Sequence, residues 1–182
     1  MVVDEPIYSK NLLFKNLDKK YCLLHYLDWL YDPKINQYLE VKYNLPTYDE
    51  LISRVARLNE SSDQLLLGIF CNDIHIGNIK LGPIDWVSKS GTVGLIIGDI
   101  KHWGKGYAAE SISIITNYAH NQLNLLNIYA GCIEANIASY KAFMKSGYQE
   151  VKRYTRCKKI GNEQERVISM IHSAQTGIVV RQ

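Results

Sequence analysis

Two kinds of apolar spacing alternate along this chain. Leu12 to Asn16 reads as a first short strand. Asp18 is placed to cap a helix running to Leu30, because Leu23, Leu24, Leu27 and Leu30 form a stripe at helical spacing. Asp32-Pro33 breaks that pattern, and Lys34 to Leu39 has room for one further turn. Thr47-Tyr48-Asp49-Glu50, with Pro46 just outside, has the form of a capping box and predicts a second helix to about Asn59. Gln64 to Cys71 and Ile74 to Leu81 are apolar strands joined by a hairpin turn at Asn72-Asp73. Gly82-Pro83 is expected to end the second of them, and Thr92 to Ile97 is the next strand.

Beyond Ile97 the period changes. Ala108, Ile112, Ile115 and Ala119 recur at intervals of four, three and four, which is one buried face of a helix starting near Gly106. Asn127 to Ile133 reads as a strand. Asn136 to Lys145 reads as a short helix stopped at Gly147, a suitable residue just past a helix end. Tyr148 to Thr155 and Arg166 to His172 read as a closing strand pair around a turn at Gly161-Asn162. Most strand connections are short. The pattern therefore predicts an α+β domain with a mostly antiparallel sheet and one parallel step, from Leu95 through the helix to Ile128.

Composition narrows this picture modestly. A chain of 182 residues with 47% hydrophobic and 21% charged residues is expected to form a single domain over 1–182. No apolar run approaches the length of a membrane span, and Met1 to Lys10 has no apolar core of a signal peptide, so no membrane partner is expected. The net charge of +3 gives no reason to expect nucleic acid. Cys22, Cys71, Cys132 and Cys157 are scattered, matching neither a zinc pattern nor a small disulfide scaffold. They read as reduced thiols of a cytoplasmic protein, with no metal site. Lys152, Arg153, Arg156, Lys158 and Lys159 cluster near the C-terminus. Such a cluster is a solvated strand end or a patch for an anionic ligand, and the sequence leaves both open.

The candidate chemistry begins at Lys101-His102-Trp103-Gly104-Lys105-Gly106-Tyr107-Ala108-Ala109-Glu110. A buried strand, a glycine-punctuated turn and a helix start together form an anion site: backbone N–H groups converge, and the helix N-terminus adds partial positive charge. A phosphate or pyrophosphate fits it. By itself a G-x-G also serves as a tight turn. A P-loop requires four residues between its glycines, whereas here there is one. A dinucleotide fingerprint finds its third small residue at Ala109, but the segment lies at mid-chain with no second half of a doubly wound sheet after it.

Lys101-His102-Trp103-Gly104-Lys105-Gly106 resembles the Arg/Gln-x-x-Gly-x-Gly/Ala motif of the GCN5-related N-acetyltransferase (GNAT) family. Asn136-Ile137-Ala138-Ser139 followed by Phe143-Met144-Lys145-Ser146-Gly147-Tyr148 resembles the family's second signature. The Trp-Gly-Lys-Gly-Tyr-Ala-x-Glu wording and Trp29-Leu30-Tyr31-Asp32-Pro33 are most similar to the branch containing ribosomal-protein N-terminal acetyltransferases. The resemblance covers about 12–172. It implies a sheet of about seven strands flanked by about four helices, with a splayed strand pair that admits acetyl-CoA. It further implies that His102, Trp103, Gly104, Lys105, Gly106, Tyr107 and Ala108 surround the pyrophosphate. Leu95, Ile96 and Ile97 would pair with the pantetheine arm, and Asn136, Ser139 and Phe143 would line its course.

The implied activity is transfer of an acetyl group to a primary amine by direct attack in a ternary complex, which requires the amine to be neutral. Many relatives carry a carboxylate where this chain has Thr92 and a tyrosine where it has Phe143, so neither role transfers. Glu134 is the first candidate base, ahead of His75, His102 and Asp99, and Tyr140 is a candidate proton donor. Cys132 shares a strand face with Glu134, but a buried structural thiol is the plainer reading. The resemblance places one wall of the acceptor cleft in Asp32 to Tyr43, where Asn36, Tyr38 and Glu40 are candidate contacts. Trp86 is the candidate opposite rim. The expected acceptor is a small polar amine, for example an amino sugar or sugar nucleotide. A protein N-terminus is the alternative within the same chemistry, and a non-catalytic acetyl-CoA-binding module the alternative outside it. A monomer or a homodimer is compatible with all three.

Overall fold

The computed structural model describes residues 1–18, 22–158 and 163–174. The most apolar stretch, β3 (Leu65–Cys71), is buried along its whole length and lies inside the sheet. It is joined to β4 (Ile74–Asp85) through Asn72 and Asp73, whose φ values of 48° and 62° are those of the hairpin turn expected there. On the other side of β3 lie β2 (Leu13–Asn16) and the two-residue β1 (Ile7–Tyr8), which is too short to leave a periodic signal. β5 (Ser90–Ile97) follows β4, and then come β6 (Asn127–Ile133), β8 (Gln164–Ser173) and β7 (Gln149–Cys157). The eight strands are ordered β1-β2-β3-β4-β5-β6-β8-β7, and every pairing is antiparallel except β5 with β6.

One boundary differs from expectation. β4 does not stop at Gly82-Pro83 but passes through it, with a cis peptide bond and φ of +126° at Gly82. The register against β5 shifts between Leu81 and Ile84, and the Ile84 N–H donates to Asp63 O at 2.8 Å. A proline is accommodated in a strand at such an irregularity, because its missing donor falls where the ladder is already interrupted.

The sheet has a core on each face. On the first, Ile76, Ile79, Leu81, Val93, Ile128 and Ala130 pack against α4 (Tyr107–Asn121) and α5 (Ile137–Lys145). α4 buries Ala109, Ile112, Ile115 and Ala119; Ala108 is only half-buried, so the stripe begins one residue later than its spacing predicts. On the second face, Leu17, Leu66 and Ile96 meet α1 (Leu27–Tyr31) and α3 (Tyr48–Glu60), the latter contributing Leu51, Val55 and Leu58. Each fully buried Leu or Ile contributes about 1.5–3 kcal/mol by leaving water. α3 starts as its capping box predicts: the Thr47 hydroxyl accepts from Glu50 N–H, and the Glu50 carboxylate from Thr47 N–H. The first helical segment is more broken than its leucine stripe suggests. A π-helical turn (Cys22–Tyr26) precedes α1, and Asp32 then caps the short α2 (Pro33–Asn36). Residues 19–21, the turn at Gly161-Asn162, Lys159 and the segment 175–182 lie outside the described residues. Among the described residues no helix is long and apolar enough to cross a membrane.

The ladder between β5 and β6 decides where the site lies. It has three rungs, Ser90↔Asn127, Gly91↔Ile128 and Thr92↔Tyr129. Beyond these, β5 stays paired with β4 as far as Ile97, and β6 stays paired with β8 as far as Ile133. The two strands therefore diverge, as the family resemblance implies. Gly98 N–H donates to Ile76 O at 2.9 Å, which sets the parity of the β4 ladder. That parity turns the C=O of Val93 and the N–H and C=O groups of Leu95 and Ile97 toward the gap, the Val93 N–H belonging to the last rung with Tyr129.

Candidate active site

The open end of β5 leads directly into the glycine turn. Asp99 caps a 3-10 turn (Ile100–His102): its carboxylate accepts from Lys101 N–H and meets His102 Nδ1, both at 2.9 Å. Burial acts against the Asp99 charge, yet these two donors together hold its carboxyl below the usual range. Trp103 folds back, and its indole N–H donates to Ile97 O at 2.7 Å, which occupies one of the carbonyls facing the gap. Gly104 and Gly106 follow with φ of +72° and +86°, a conformation that side-chain-bearing residues rarely adopt. A Cβ at either position would meet nothing within 4 Å among the described residues, so the concave side of the turn is open. The first intrahelical bond of α4 runs from Glu110 N–H to Gly106 O. The amides of Tyr107, Ala108 and Ala109 precede that bond, as at any helix start. No side chain caps the helix. This turn, its bare concave face and these amides fit an anionic pyrophosphate.

Glu110, part of the same motif, has a role that no local signal indicates. Its carboxylate accepts from Ser9 Oγ at 2.7 Å and from Asn11 N–H and Nδ2 at 2.9 Å each. These bonds pin the β1–β2 turn to the first turn of α4. Across the gap, Asn136 caps α5 by accepting Ser139 N–H at 3.1 Å. Tyr148 N–H closes the other end of α5 onto Phe143 O at 3.2 Å, with Gly147 at φ +87°. Phe143 itself is 2% exposed and stands edge-on to Tyr148, so it belongs to the core rather than to the gap. Tyr140 donates its hydroxyl proton to Glu150 at 3.2 Å, which ties it to β7.

The second half of the site is a cavity of about 330 Å³ beside the open end of β6. Its walls come from Gln37, Tyr38 and Lys42 on one side and from Glu134, Glu165 and Arg166 on the other. Tyr38 and Glu134 are thus brought together, although they stand 96 positions apart in sequence. Glu134 is heavily engaged: Oε1 accepts from Arg153 at 2.8 Å and Oε2 from Arg166 at 3.1 Å. Glu40 pairs with Arg156 at 2.9 Å, and Arg156 also holds Glu165 at 2.8 Å, which links the helical wall to the β7–β8 edge. Lys158 is paired with Glu163. Arg153, Arg156 and Lys158 of the basic cluster near the C-terminus are therefore each paired with neighbouring carboxylates.

Other candidates lie elsewhere. Asn36 is buried and donates to Leu30 O at 2.7 Å, supporting the wall from inside. Trp86 lies in the β4–β5 connection, next to the paired end of β5, because the gap opens at Ile97. His75 is 5% exposed between Trp29 and Phe70, and burial pushes its imidazole down. Trp29 in turn lies flat on Gly98, where a Cβ would stand 1.9 Å from the indole. Cys132 is buried, and burial raises its thiol, which disfavours the nucleophilic thiolate. Among the described residues no cluster of three or more His, Cys, Asp or Glu side chains is arranged to hold a metal ion.

The sequence matches the family model of the acetyltransferase (GNAT) domain over residues 12–149. The chain belongs to the GNAT acetyltransferase family. The curated N-acetyltransferase YnaD of Bacillus subtilis, itself uncharacterised, is 37% identical over 59 residues, 32% of this chain and 35% of that protein. The chain thus matches about a third of that relative's length. The structure of RimL, the ribosomal L7/L12 alpha-N-protein acetyltransferase, in complex with coenzyme A superposes with a TM-score of 0.81 at 15% identity, covering 93% of this chain and 98% of that one. Spermidine N-acetyltransferase from Vibrio cholerae, in complex with CoA and spermine, gives 0.81 at 19% identity, covering 91% and 96%. In this GNAT domain, as expected, the α+β sheet is mostly antiparallel with a diverging strand pair.

Proposed function

We propose that this protein transfers the acetyl group of acetyl-CoA to the primary amine of a small polar acceptor held in the cavity between Tyr38 and Glu165. The observation that carries this reading is the β5–β6 ladder, which ends after three rungs beside both the glycine turn and the cavity. Gly104 to Ala109 would hold the pyrophosphate, and the backbone edge of Val93 and Leu95 would pair with the pantetheine amides. Asn136 would meet the same arm with its unspent amide group. When bound, acetyl-CoA supplies the acetyl group as a thioester. The Leu95 N–H faces the gap, where a donor lowers the energy of negative charge developing on a carbonyl oxygen.

The cavity favours an acceptor that carries hydroxyl or anionic groups beside its amine. Lys42, Lys158 and Arg166 stand against Glu134 and Glu165, so no acidic excess is available for a polycation. An amino sugar or sugar nucleotide meets that description. With both Glu134 oxygens engaged, we assign that residue to fixing the charge and shape of the cavity. The amine then enters neutral or loses its proton to water. A second reading, acetylation of a protein N-terminus, is favoured by the exposed sheet surface at Thr92 and Tyr129, which gives an extended chain room to approach.

Thiol release from acetyl-CoA should be measured with amino-sugar nucleotides, peptides with free N-termini, and spermidine. Turnover with an amino-sugar nucleotide and not with peptides is the expected result. Turnover confined to peptides overturns the acceptor assignment. Tight acetyl-CoA binding by calorimetry without thiol release on any amine overturns catalysis in favour of a binding module.

A further inference from the structure

Most glycines of this sheet are explained by their surroundings. A Cβ at Gly77 would stand 2.3 Å from Ile96 O, one at Gly68 2.8 Å from the Phe70 ring, and one at Gly91 3.2 Å from Leu81. Gly98 carries the face of Trp29. Gly94 and Gly131 have no such reason. Neither has a positive φ. Among the described residues, a Cβ at Gly94 meets nothing within 4 Å, and one at Gly131 meets only Ile168 O, at an ordinary 3.8 Å. A glycine inside a strand forgoes a packing side chain and leaves the backbone freer when unfolded, so it weakens the strand. Two such residues with open space above them point to something outside the fold.

Their placement says what. Thr92↔Tyr129 is the last rung between β5 and β6. Alternation puts Gly94 and Gly131 two residues further along, on the same face of the two diverging strands. That face is the second one: Ile96 packs there with α1 and α3, while Val93, Ala130 and Cys132 point to the opposite core with α4. α4 and its glycine turn thus lie on the other side of the sheet from the two bare positions. Ile133, the next residue of the same face on β6, lines the cavity. The bare surface therefore connects the vertex of the strand pair to the cavity, on the side away from the pyrophosphate site.

We propose that Gly94 and Gly131 form a side-chain-free floor on which the amine-bearing end of the acceptor lies flush against both strands, and that this floor determines which acceptors are used. The assignment rests on the reading of the site as an acetyl-transfer centre. Its ligand is a primary amine on a flat or extended polar group, because only such a group contacts two strand backbones at once. A methyl group at either position occupies the space the acceptor needs and leaves the ladder, the glycine turn and the cores untouched.

The test uses the full chain with Gly94→Ala, Gly131→Ala and the double substitution. Three quantities are measured: the thermal midpoint, the acetyl-CoA Kd by calorimetry, and acceptor kinetics. The probes are a UDP-linked amino sugar, a peptide with a free N-terminal serine, and spermidine. The thermal midpoint should be unchanged or raised, since alanine suits a strand better than glycine. The acetyl-CoA Kd should stay within about 2-fold, while the acceptor KM should rise roughly 10-fold or more per methyl group, the scale of one misplaced methylene in a binding site. Unchanged acceptor kinetics overturn the proposal. So does a lower midpoint or weaker acetyl-CoA binding, because either assigns the glycines to the fold or the cofactor. If the parent chain acetylates none of the probes, the reading of the site fails. The glycine assignment is then refuted separately by a fall in midpoint or in acetyl-CoA affinity.

Discussion

The two sides of the open strand pair are built from different material. On the β5 side the site is backbone: a run of ten residues, two glycines at positive φ and the uncapped start of α4. On the β6 side it is a mosaic of side chains from separate stretches: Gln37, Tyr38 and Lys42, then Ile133 to Ala135, then Lys158 with Gln164 to Arg166. Its charges are set by Arg153, Arg156 and Arg166 against Glu40, Glu134 and Glu165. Exposed ion pairs of this kind contribute about 0–1 kcal/mol each, so single replacements change the mosaic at small cost to the fold. The backbone device has no such latitude, because its geometry depends on residues without a Cβ. A domain assembled in this way keeps its cofactor while its acceptor is free to change.

The comparison breaks most sharply at the glycine turn. Gly106→Val forces a β-branched residue to φ of +86° and puts a side chain into the open cradle. Acetyl-CoA binding should weaken about 100-fold by calorimetry, from backbone strain of roughly 1–2 kcal/mol plus the lost close approach. Near-normal affinity would mean that the turn is not the anion site. Gly98→Ala tests the element both sides share. Its Cβ collides with Trp29, which covers His75 and begins the helical wall. Overpacking of about 1–3 kcal/mol should lower the thermal midpoint by several degrees. Affinity for acetyl-CoA and turnover should fall together, in contrast to substitutions confined to one side.

Glu134→Gln addresses the β6 side alone. It retains the shape and removes the charge that holds Arg153 and Arg166. Acceptor kcat/KM should fall about 10-fold, mostly through KM, while the KM for acetyl-CoA stays constant. A loss confined to kcat, with a new pH dependence, would instead identify Glu134 as the base. The smallest effect is that of pH on stability. Burial holds His75 below its ordinary value of 6.5, and burial followed by the neighbouring His120 does the same for His172. As the pH falls below about 6.5 the unfolded chain takes up protons that the folded chain refuses, so stability drops with acidification and is fully present above that value. The thermal midpoint should fall by roughly 3 °C between pH 7 and pH 5.5, with a shallower slope in His172→Asn. An identical slope in that variant would place the whole effect on His75, beneath the wall.

Much of the fold was legible before any coordinate. α3, the hairpin turn at Asn72-Asp73, β6 and α5 follow from a capping box, a turn dipeptide, an apolar run and a terminal glycine, all of them local signals. The passage of β4 through Gly82-Pro83 was not legible, because it depends on Asp63 accepting from Ile84 N–H from another element. Nor was the exclusion of Asn36, Phe143 and Trp86 from the open gap. Asn36 and Phe143 are the right residue types in the right segments, and only their packing against Leu30 and Tyr148 shows that they face inward. Trp86 is excluded by strand direction alone.

The sequence by itself determined the glycine turn, the helix that follows it, the capped helices and the family to which the chain belongs. Each is written in consecutive residues, whose backbone preferences act before any long-range contact forms. The end of the β5–β6 ladder after Thr92, the meeting of Tyr38 with Glu134 and the bare floor at Gly94 and Gly131 were decided by tertiary structure. Those features depend on which strands diverge and which side chains then share a space, and the spacing of residues along the chain does not encode such distances.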